Sequence, residues 1–309
     1  MKAKKIFYSI LMIAMPFVWT SCSDLLDIEP DDRITNENFY KTESDFQAAT
    51  GPLYNRVWFD FNDKFYYGLG DGRAANMYAP FSDYVYPFTD LTETGLTGPL
   101  VSAWGSLYNV VQQSNNVIIG ISGSTVDETV KSRYIAEARF MRGTAYWYLA
   151  SLWGDVIIST DAKELVKNPI VNKNPMKDVY EFAIRDLEYA AKFLPESAGQ
   201  SGRLTKYSAF GMLSRVYLSF SGVSDNPNSG SRNQDYLNLA KKAAEKVINS
   251  GAYSLMPNYA DLFMIENNNN PESMFALQWV PNGDFGVNNT QQAYFALGSD
   301  ITGDDAAWV

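Results

Sequence analysis

The sequence contains no histidine and only one cysteine. Without histidine the chain cannot itself supply a histidine general base, a Ser-His or Cys-His nucleophile pair, or a histidine-ligated zinc or iron site. A single cysteine allows neither an intrachain disulfide nor a cysteine-based zinc cluster. The catalytic and metal-binding classes that need these residue types are therefore excluded within the chain.

Positive charge is also scarce. There are 25 basic and 35 acidic residues, a formal net charge of -10 and a pI of about 4.6. Such a chain does not bind nucleic acid through a general basic field. Its 309 residues are enough for one large domain or two ordinary ones with a sizeable core. Aromatic residues make up 15%, which suits binding surfaces and cores alike.

The first residues have the layout of a bacterial lipoprotein signal. Three lysines precede an apolar stretch from Ile6 to Trp19, which is too short to span a bilayer comfortably. Two small residues follow, and then comes Cys22, the only cysteine of the chain. We expect residues 1–21 to be a signal peptide and Cys22 to carry the acyl chains of a lipid anchor. The alternative is an ordinary secretory signal with a chance cysteine. One departure from the lipoprotein pattern is Trp19, which occupies a position where leucine or valine is usual.

The next segment predicts a tether. Residues 22–41 are acidic, contain a proline and show no helical period. A helix is expected to begin at Thr42, with Thr42 as its N-cap and Asp45 at the third position of an imperfect capping box.

Five segments of the middle of the chain show the helical period, each with one apolar face. The first face consists of Val101, Trp104, Leu107, Tyr108, Val111 and Ile118. The second consists of Tyr134, Ala138, Met141, Ala145, Tyr148, Leu149 and Leu152. The third consists of Tyr180, Ala183, Leu187, Ala190 and Ala191. The fourth consists of Ala209, Met212, Leu213, Val216, Tyr217 and Phe220, and the fifth of Leu237, Ala240, Ala244, Val247 and Ile248.

The third and fifth faces share the same spacing, offset by 57 residues. Both place alanines where two helices must approach closely. This pattern favours a helix-turn-helix repeat of the tetratricopeptide type, although the period is irregular. A plain helical bundle with coincidental alanine spacing is the alternative.

Other stretches lack this period. Residues 272–279 alternate like a short strand. Residues 60–99 are rich in Tyr, Gly, Asp and Pro, and a loop of that length is usually functional. Residues 281–309 are polar and rich in Gly and Asn, and they are expected to be irregular.

Several linked motifs resemble the SusD/RagB family of outer-membrane nutrient-binding lipoproteins. The strongest is RYIAEARFMRGTAYWYLASLWGDVII at 133–158, which is similar to a family pattern and departs from it at Gly143 and Ile158. Others follow in the family's order. They are CSDLLDIEP (22–30), TESDFQAATGPLYNRVW (42–58), WGSLYNVVQQSNNVI (104–118), GRLTKYSAFGMLSRVYL (202–218), AAEKVINSGAYSL (243–255) and ESMFALQW (272–279).

The resemblance implies a mainly all-α fold of tetratricopeptide-like helix pairs, with long irregular loops and the short strand. It implies a helical-repeat region over 42–279 and the start of an incomplete C-terminal ligand-binding region over 280–309, because family members are considerably longer. It further implies a surface-exposed, lipid-anchored outer-membrane protein without catalysis, cofactor or metal. Such proteins deliver oligosaccharides, or in some members peptides, to a SusC-like TonB-dependent transporter barrel.

Candidate ligand contacts crowd into residues 60–99. Sugar rings stack their apolar faces on aromatic planes, and their hydroxyl groups need fixed donors and acceptors beside those planes. The resemblance implies that this region contributes to the ligand face. The alternative is that most of these rings pack the loop onto the helices. The candidates are Asp71, Arg73, Asn76, Tyr78, Tyr84 and Tyr86, with Tyr66, Tyr67 and Phe81 beside them.

Other polar residues have a simpler structural interpretation. Glu137, Arg139 and Arg142 are expected to bridge neighbouring helices rather than to form an active site. Asn115 lies on an apolar face and is expected to bond a neighbouring backbone group. The aspartates at 300, 304 and 305 lack the spacing of a calcium-binding loop.

Three functions compete. The first is a surface lipoprotein that captures glycans or peptides. The second is a helical-repeat scaffold that binds only proteins, which the aromatic-rich loop disfavours. The third is a secreted glycosidase, which carboxylates alone could support but which the family resemblance disfavours.

Overall fold

The computed structural model describes residues 39–77, 84–225, 230–280, 284 and 286–289. The chain divides into two compact units, Met1–Phe39 and Tyr40–Val309, and the architecture below is that of the second. The signal peptide, Cys22, Tyr78, Phe81 and the three C-terminal aspartates lie outside the described residues.

The described part of the chain is mainly helical, as the sequence predicts. Long helices fill its middle, and shorter ones precede and interrupt them. The α-helices are α1 (Glu43–Thr50), α2 (Phe59–Lys64), α3 (Tyr86–Thr89), α4 (Gly98–Ser122), α5 (Glu128–Trp153), α6 (Ala162–Lys167), α7 (Met176–Phe193), α8 (Lys206–Ser221) and α9 (Gln234–Ile248). Shorter turns are the 3₁₀ segments Gly51–Tyr54, Arg56–Trp58, Tyr259–Phe263 and Ile265–Asn267, and the π-helical turn Gly68–Gly72.

Helix ends follow local sequence signals. The capping box at the start of α1 is confirmed, because Thr42 Oγ1 accepts from the backbone of Asp45 at 3.3 Å and the Asp45 carboxylate accepts from the Thr42 backbone at 2.7 Å. Pro175 precedes the first residue of α7 as its N-cap. Gly154 ends α5 with a positive φ of 72°, a conformation that glycine adopts without steric cost.

The long helices pack in chain order. The main helix-helix contacts join α4 to α5, α5 to α7, α7 to α8, and α8 to α9. One hydrophobic cluster runs through these five helices. It includes all of the third and fourth predicted faces, all but one residue of the first and second, and only Ala240 of the fifth. This succession of neighbours is that of stacked helix pairs. None of the helices in the described ranges is both long and apolar enough to cross a membrane.

The predicted apolar faces are buried to different degrees. All five residues of the third face, on α7, are buried. The fifth face, on α9, is only partly buried: Ala240 and Val247 are buried, Leu237 and Ala244 are half-buried, and Ile248 is 74% exposed. The reason is position, since α7 packs between α5 and α8, whereas the main described neighbour of α9 is α8 alone.

Two local predictions were wrong. Residues 272–279 form no strand, because their backbone bonds the start of α8 and the turn Gly51–Tyr54 instead of another strand. Ser208 Oγ donates to the Met274 carbonyl at 2.5 Å, and the Gln278 amide donates to the Tyr54 carbonyl at 2.8 Å. Residues 60–99 are not one irregular loop, since α2, the π-helical turn and α3 lie within them.

Candidate functional site

Five of the six predicted ligand residues, all except Tyr78, fall within the described residues, and they lie on a compact layer formed by the π-helical turn, α3 and the residues beside them. Gly68 lies so close to this helix that a Cβ there would be 2.6 Å from the Tyr84 carbonyl and 2.9 Å from the Phe88 ring. A Cβ at Gly72 would lie 3.5 Å from Val85 and from Thr89. Glycine therefore allows the turn to pack directly on α3, which brings residues 71–76 and 84–86 into one structural unit.

The tyrosines of this layer divide into exposed and buried rings. Tyr66 is 50% exposed and Tyr86 is 37% exposed, while Tyr84 is half-buried and Tyr67 is 2% exposed. Tyr66 and Tyr86 therefore offer aromatic surface to a ligand. Tyr67 packs with Val85 in a small apolar cluster. The alternative interpretation expects such packing for most of the rings, and here it holds for Tyr67 but not for the exposed Tyr66 and Tyr86.

The polar candidates lie at the solvent side of the same turn. Asp71, Arg73 and Asn76 are all exposed. The backbone N–H of Asn76 donates to the backbone carbonyl of Asp71 at 2.9 Å, and this bond ends the π-helical turn. Arg73 forms an ion pair with Glu93, a residue of the segment between α3 and α4.

Sequence reasoning missed Glu93. Its side chain is 18% exposed, and its second carboxylate oxygen is buried. The one available signal was indirect, namely that Arg73 is the only basic residue from position 65 to 97 and stands among several acidic ones.

A wall of aromatic rings holds this layer against the helices. Phe65 stacks on Trp153 of α5 at 5.7 Å and meets Phe88 edge-on at 5.6 Å. Phe61 lies 4.8 Å from the ring of Tyr148, where burial raises the tyrosine pKa to about 12. The candidate ligand surface is thereby fixed to the rigid core through side chains on its inner side.

The polar residues of the strongest sequence motif form buried bridges, as predicted. The Arg142 guanidinium donates to both carboxylate oxygens of Asp186, at 2.7 and 2.8 Å, and to the Asn115 side chain at 2.7 Å. Asn115 in turn donates to the Ser159 carbonyl at 2.9 Å, which confirms its predicted role. This network joins α4, α5 and α7.

A second buried bridge contains Glu137. Its carboxylate accepts from the Tyr54 hydroxyl and from Arg203, each at 2.7 Å. Burial, together with the charge of Glu137, raises the pKa of Tyr54 well above its usual value. Arg139 lies over the Tyr189 ring at 4.1 Å and 3.8 Å from Asp186. These contacts connect α5 to α7 and to the segments before α2 and α8.

Metal binding finds no support in the described residues. No group of three or more acidic or cysteine side chains there could hold a metal ion. Cavities of about 670 and 450 Å³ open elsewhere, one between α7, α8 and α9 and one beside Met274 and Arg215.

Residues 83–218 match a family model described as SusD-like, starch-binding and associating with the outer membrane. A SusD-like protein of Bacteroides ovatus is 40% identical to the chain. The match covers 94% of the chain and 53% of that protein. The starch-binding protein SusD of Bacteroides thetaiotaomicron is 30% identical over 53% of the chain and 27% of its own length. The chain spans about half the length of the first of these curated relatives.

Two solved structures are similar to the chain in both sequence and fold. One is 40% identical with a TM-score of 0.79, and the match covers 84% of the chain and 51% of that structure. Another, determined with a xylogluco-oligosaccharide, is 42% identical with a TM-score of 0.76 and covers 82% and 50%. The mainly helical architecture is therefore shared with these structures.

Proposed function

Since the chain belongs to the SusD/RagB family, whose model describes starch-binding proteins that associate with the outer membrane, we propose that it captures oligosaccharides without cleaving them. The supporting observation is the 42% identity to a chain whose structure contains a xylogluco-oligosaccharide. Capture at the outer membrane would serve a SusC-like TonB-dependent transporter, to which the ligand is handed over. Capture of a peptide in place of a glycan is the alternative within the family.

We place the ligand on the surface formed by Tyr66, Asp71, Arg73, Asn76 and Tyr86, which we call the loop face. Its two exposed rings provide planes for stacking, and its side chains provide fixed donors and acceptors beside them. Tyr84 is a candidate for the edge of the same face, and Tyr78, which lies outside the described residues, stays a candidate from the sequence alone. The Tyr66 ring meets Phe61 of the aromatic wall edge-on at 6.2 Å, so little of its conformational entropy is lost when a sugar stacks on it.

The first test removes the exposed rings. Each ring is expected to contribute about 1 kcal/mol, so the Tyr66→Ala/Tyr86→Ala double variant should bind xylogluco-oligosaccharides roughly 30-fold more weakly than the wild type. Isothermal titration calorimetry of the purified protein measures this, and chromatography of the recovered ligand should show intact oligosaccharide.

A matched control is available in the Tyr259→Ala/Phe263→Ala double variant. These rings are 74% and 71% exposed and form an edge-to-face pair at 5.3 Å, but they lie outside the loop face. Their removal should leave affinity unchanged. Equal binding by the wild type and the Tyr66/Tyr86 variant would move the ligand to another surface.

We further propose that Cys22 is the lipid anchor. Its position after a short apolar segment and its uniqueness in the chain support this. Metabolic labelling with a fatty-acid analogue should mark the wild type and should leave the Cys22→Ser variant unlabelled and released from the membrane fraction. Equal labelling of both proteins would refute the anchor.

A further inference from the structure

The loop face lies in an acidic stretch of the chain. From residue 65 to residue 97 the charged residues are Asp71, Arg73, Asp83, Asp90 and Glu93. The sequence of this stretch thus contains four carboxylates and one guanidinium, and its net charge is -3. An anionic ligand that approaches this stretch meets charge of its own sign, which lowers its affinity relative to a neutral ligand of the same shape.

The single guanidinium of the stretch is already engaged. Arg73 pairs with Glu93, and the Glu93 side chain is largely buried while that of Arg73 is 44% exposed. Glu93 is therefore the buried partner of the pair, and Arg73 is the partner that a ligand can contact. A sugar hydroxyl can still accept from the outer N–H groups of Arg73, because a guanidinium has five donors. A carboxylate or sulfate on the ligand, in contrast, would have to compete with Glu93 for the same charge.

We infer that the loop face selects uncharged oligosaccharides and that Glu93 is a specificity-determining residue, which rejects glycans bearing uronic acid or sulfate groups. This inference rests on the proposed function and names its substrate class. Glu93 would act through Arg73, by neutralising the one cation that an acidic glycan could bind.

The test uses ligands that differ only in charge. Xylogluco-oligosaccharides and the same oligosaccharides oxidised at their primary hydroxyl groups to carboxylates are titrated into the wild type at low salt. The neutral form should bind at least roughly fivefold more tightly. Raising NaCl from about 0.05 M to about 0.5 M should narrow this ratio by strengthening the oxidised form, because salt screens repulsion between exposed charges.

The variant Glu93→Gln should release Arg73 from its ion pair. The ratio of neutral to oxidised affinity should then fall by a factor of roughly five relative to the wild type. The double variant Arg73→Gln/Glu93→Gln should not show this fall, since it removes the released cation. Glu196→Gln, which removes an exposed carboxylate outside the loop face, is the matched charge control and should bind like the wild type.

The outcomes are distinct. If the wild type prefers the oxidised ligands, or shows no salt-dependent preference, the selectivity is refuted while glycan capture stands. If Glu93→Gln keeps the wild-type ratio or loses neutral binding altogether, Glu93 is not the discriminating residue. If the wild type binds neither ligand class, the proposed function fails and the inference fails with it.

Discussion

The Asp186→Asn variant should lose about 3–5 kcal/mol of its free energy of unfolding, the cost of removing one partner from a buried ion pair. Asp186 and Arg142 are 2% and 5% exposed, so neither group can recover its lost partner from water. The substitution preserves side-chain volume and replaces only the charge, so the effect reports on the uncompensated guanidinium. Chemical denaturation monitored by circular dichroism measures it.

The geometry explains why the loss should be large. Both Asp186 oxygens accept from Arg142, which also donates to Asn115, and Asn115 holds the Ser159 carbonyl. A single substitution therefore loosens contacts among three long helices and the segment after α5. Partly satisfied networks of this kind are more costly than apolar packing.

An exposed ion pair in the same protein is the matched control. Lys167 and Glu164 lie 3.1 Å apart on α6 with side chains that are 68% and 62% exposed. The Glu164→Gln variant should change the free energy of unfolding by less than about 0.5 kcal/mol. A similar small change in Asp186→Asn would mean that the buried pair contributes little to stability.

Sequence reasoning identified one half of each buried bridge. Arg142 and Glu137 stand out as charged residues within an apolar helical pattern, which indicates buried polar roles. Their charged partners do not stand out. Asp186 and Arg203 are separated from them by 44 and 66 positions and are ordinary charged residues locally. Only the packing of α7 and of the segment before α8 on α5 brings the charges together.

The loop face shows a similar limit. Composition alone indicated that residues 60–99 were rich in rings and polar groups. The division between exposed Tyr66 and buried Tyr67 depends on how the π-helical turn packs on α3, which requires the close approach at Gly68. No periodicity in the sequence predicts that turn, and for the same reason the partner of Arg73 was missed.

Gly143 is a further case. It is one of the two positions at which the strongest motif departs from the family pattern. In the structure a Cβ at this position would lie 2.9 Å from the Ala183 carbonyl and 3.2 Å from Leu187, both on α7. The glycine therefore sets how closely α5 and α7 approach, and the third apolar face is packed at this crossing.

The Ala183→Arg variant should lose about 4 kcal/mol or more, enough to unfold much of the helical region. Ala183 is fully buried, and its backbone is in close contact with α5 at Gly143. An arginine here would overfill a packed crossing and bury a charge without a partner, and these two costs add. Thermal unfolding and the yield of soluble protein are the measurements.

The fifth apolar face supplies the control. Ala244 belongs to this face, which shares its spacing with the face of Ala183, and the spacing alone predicts that Ala244→Arg destabilises the protein by several kcal/mol. Ala244 is half-buried on α9, whose main described neighbour is α8, so an arginine there can extend to solvent. We expect Ala244→Arg to cost no more than about 1 kcal/mol. Equal losses at the two positions would contradict this prediction. They would mean that Ala244 is as deeply buried in the protein as Ala183.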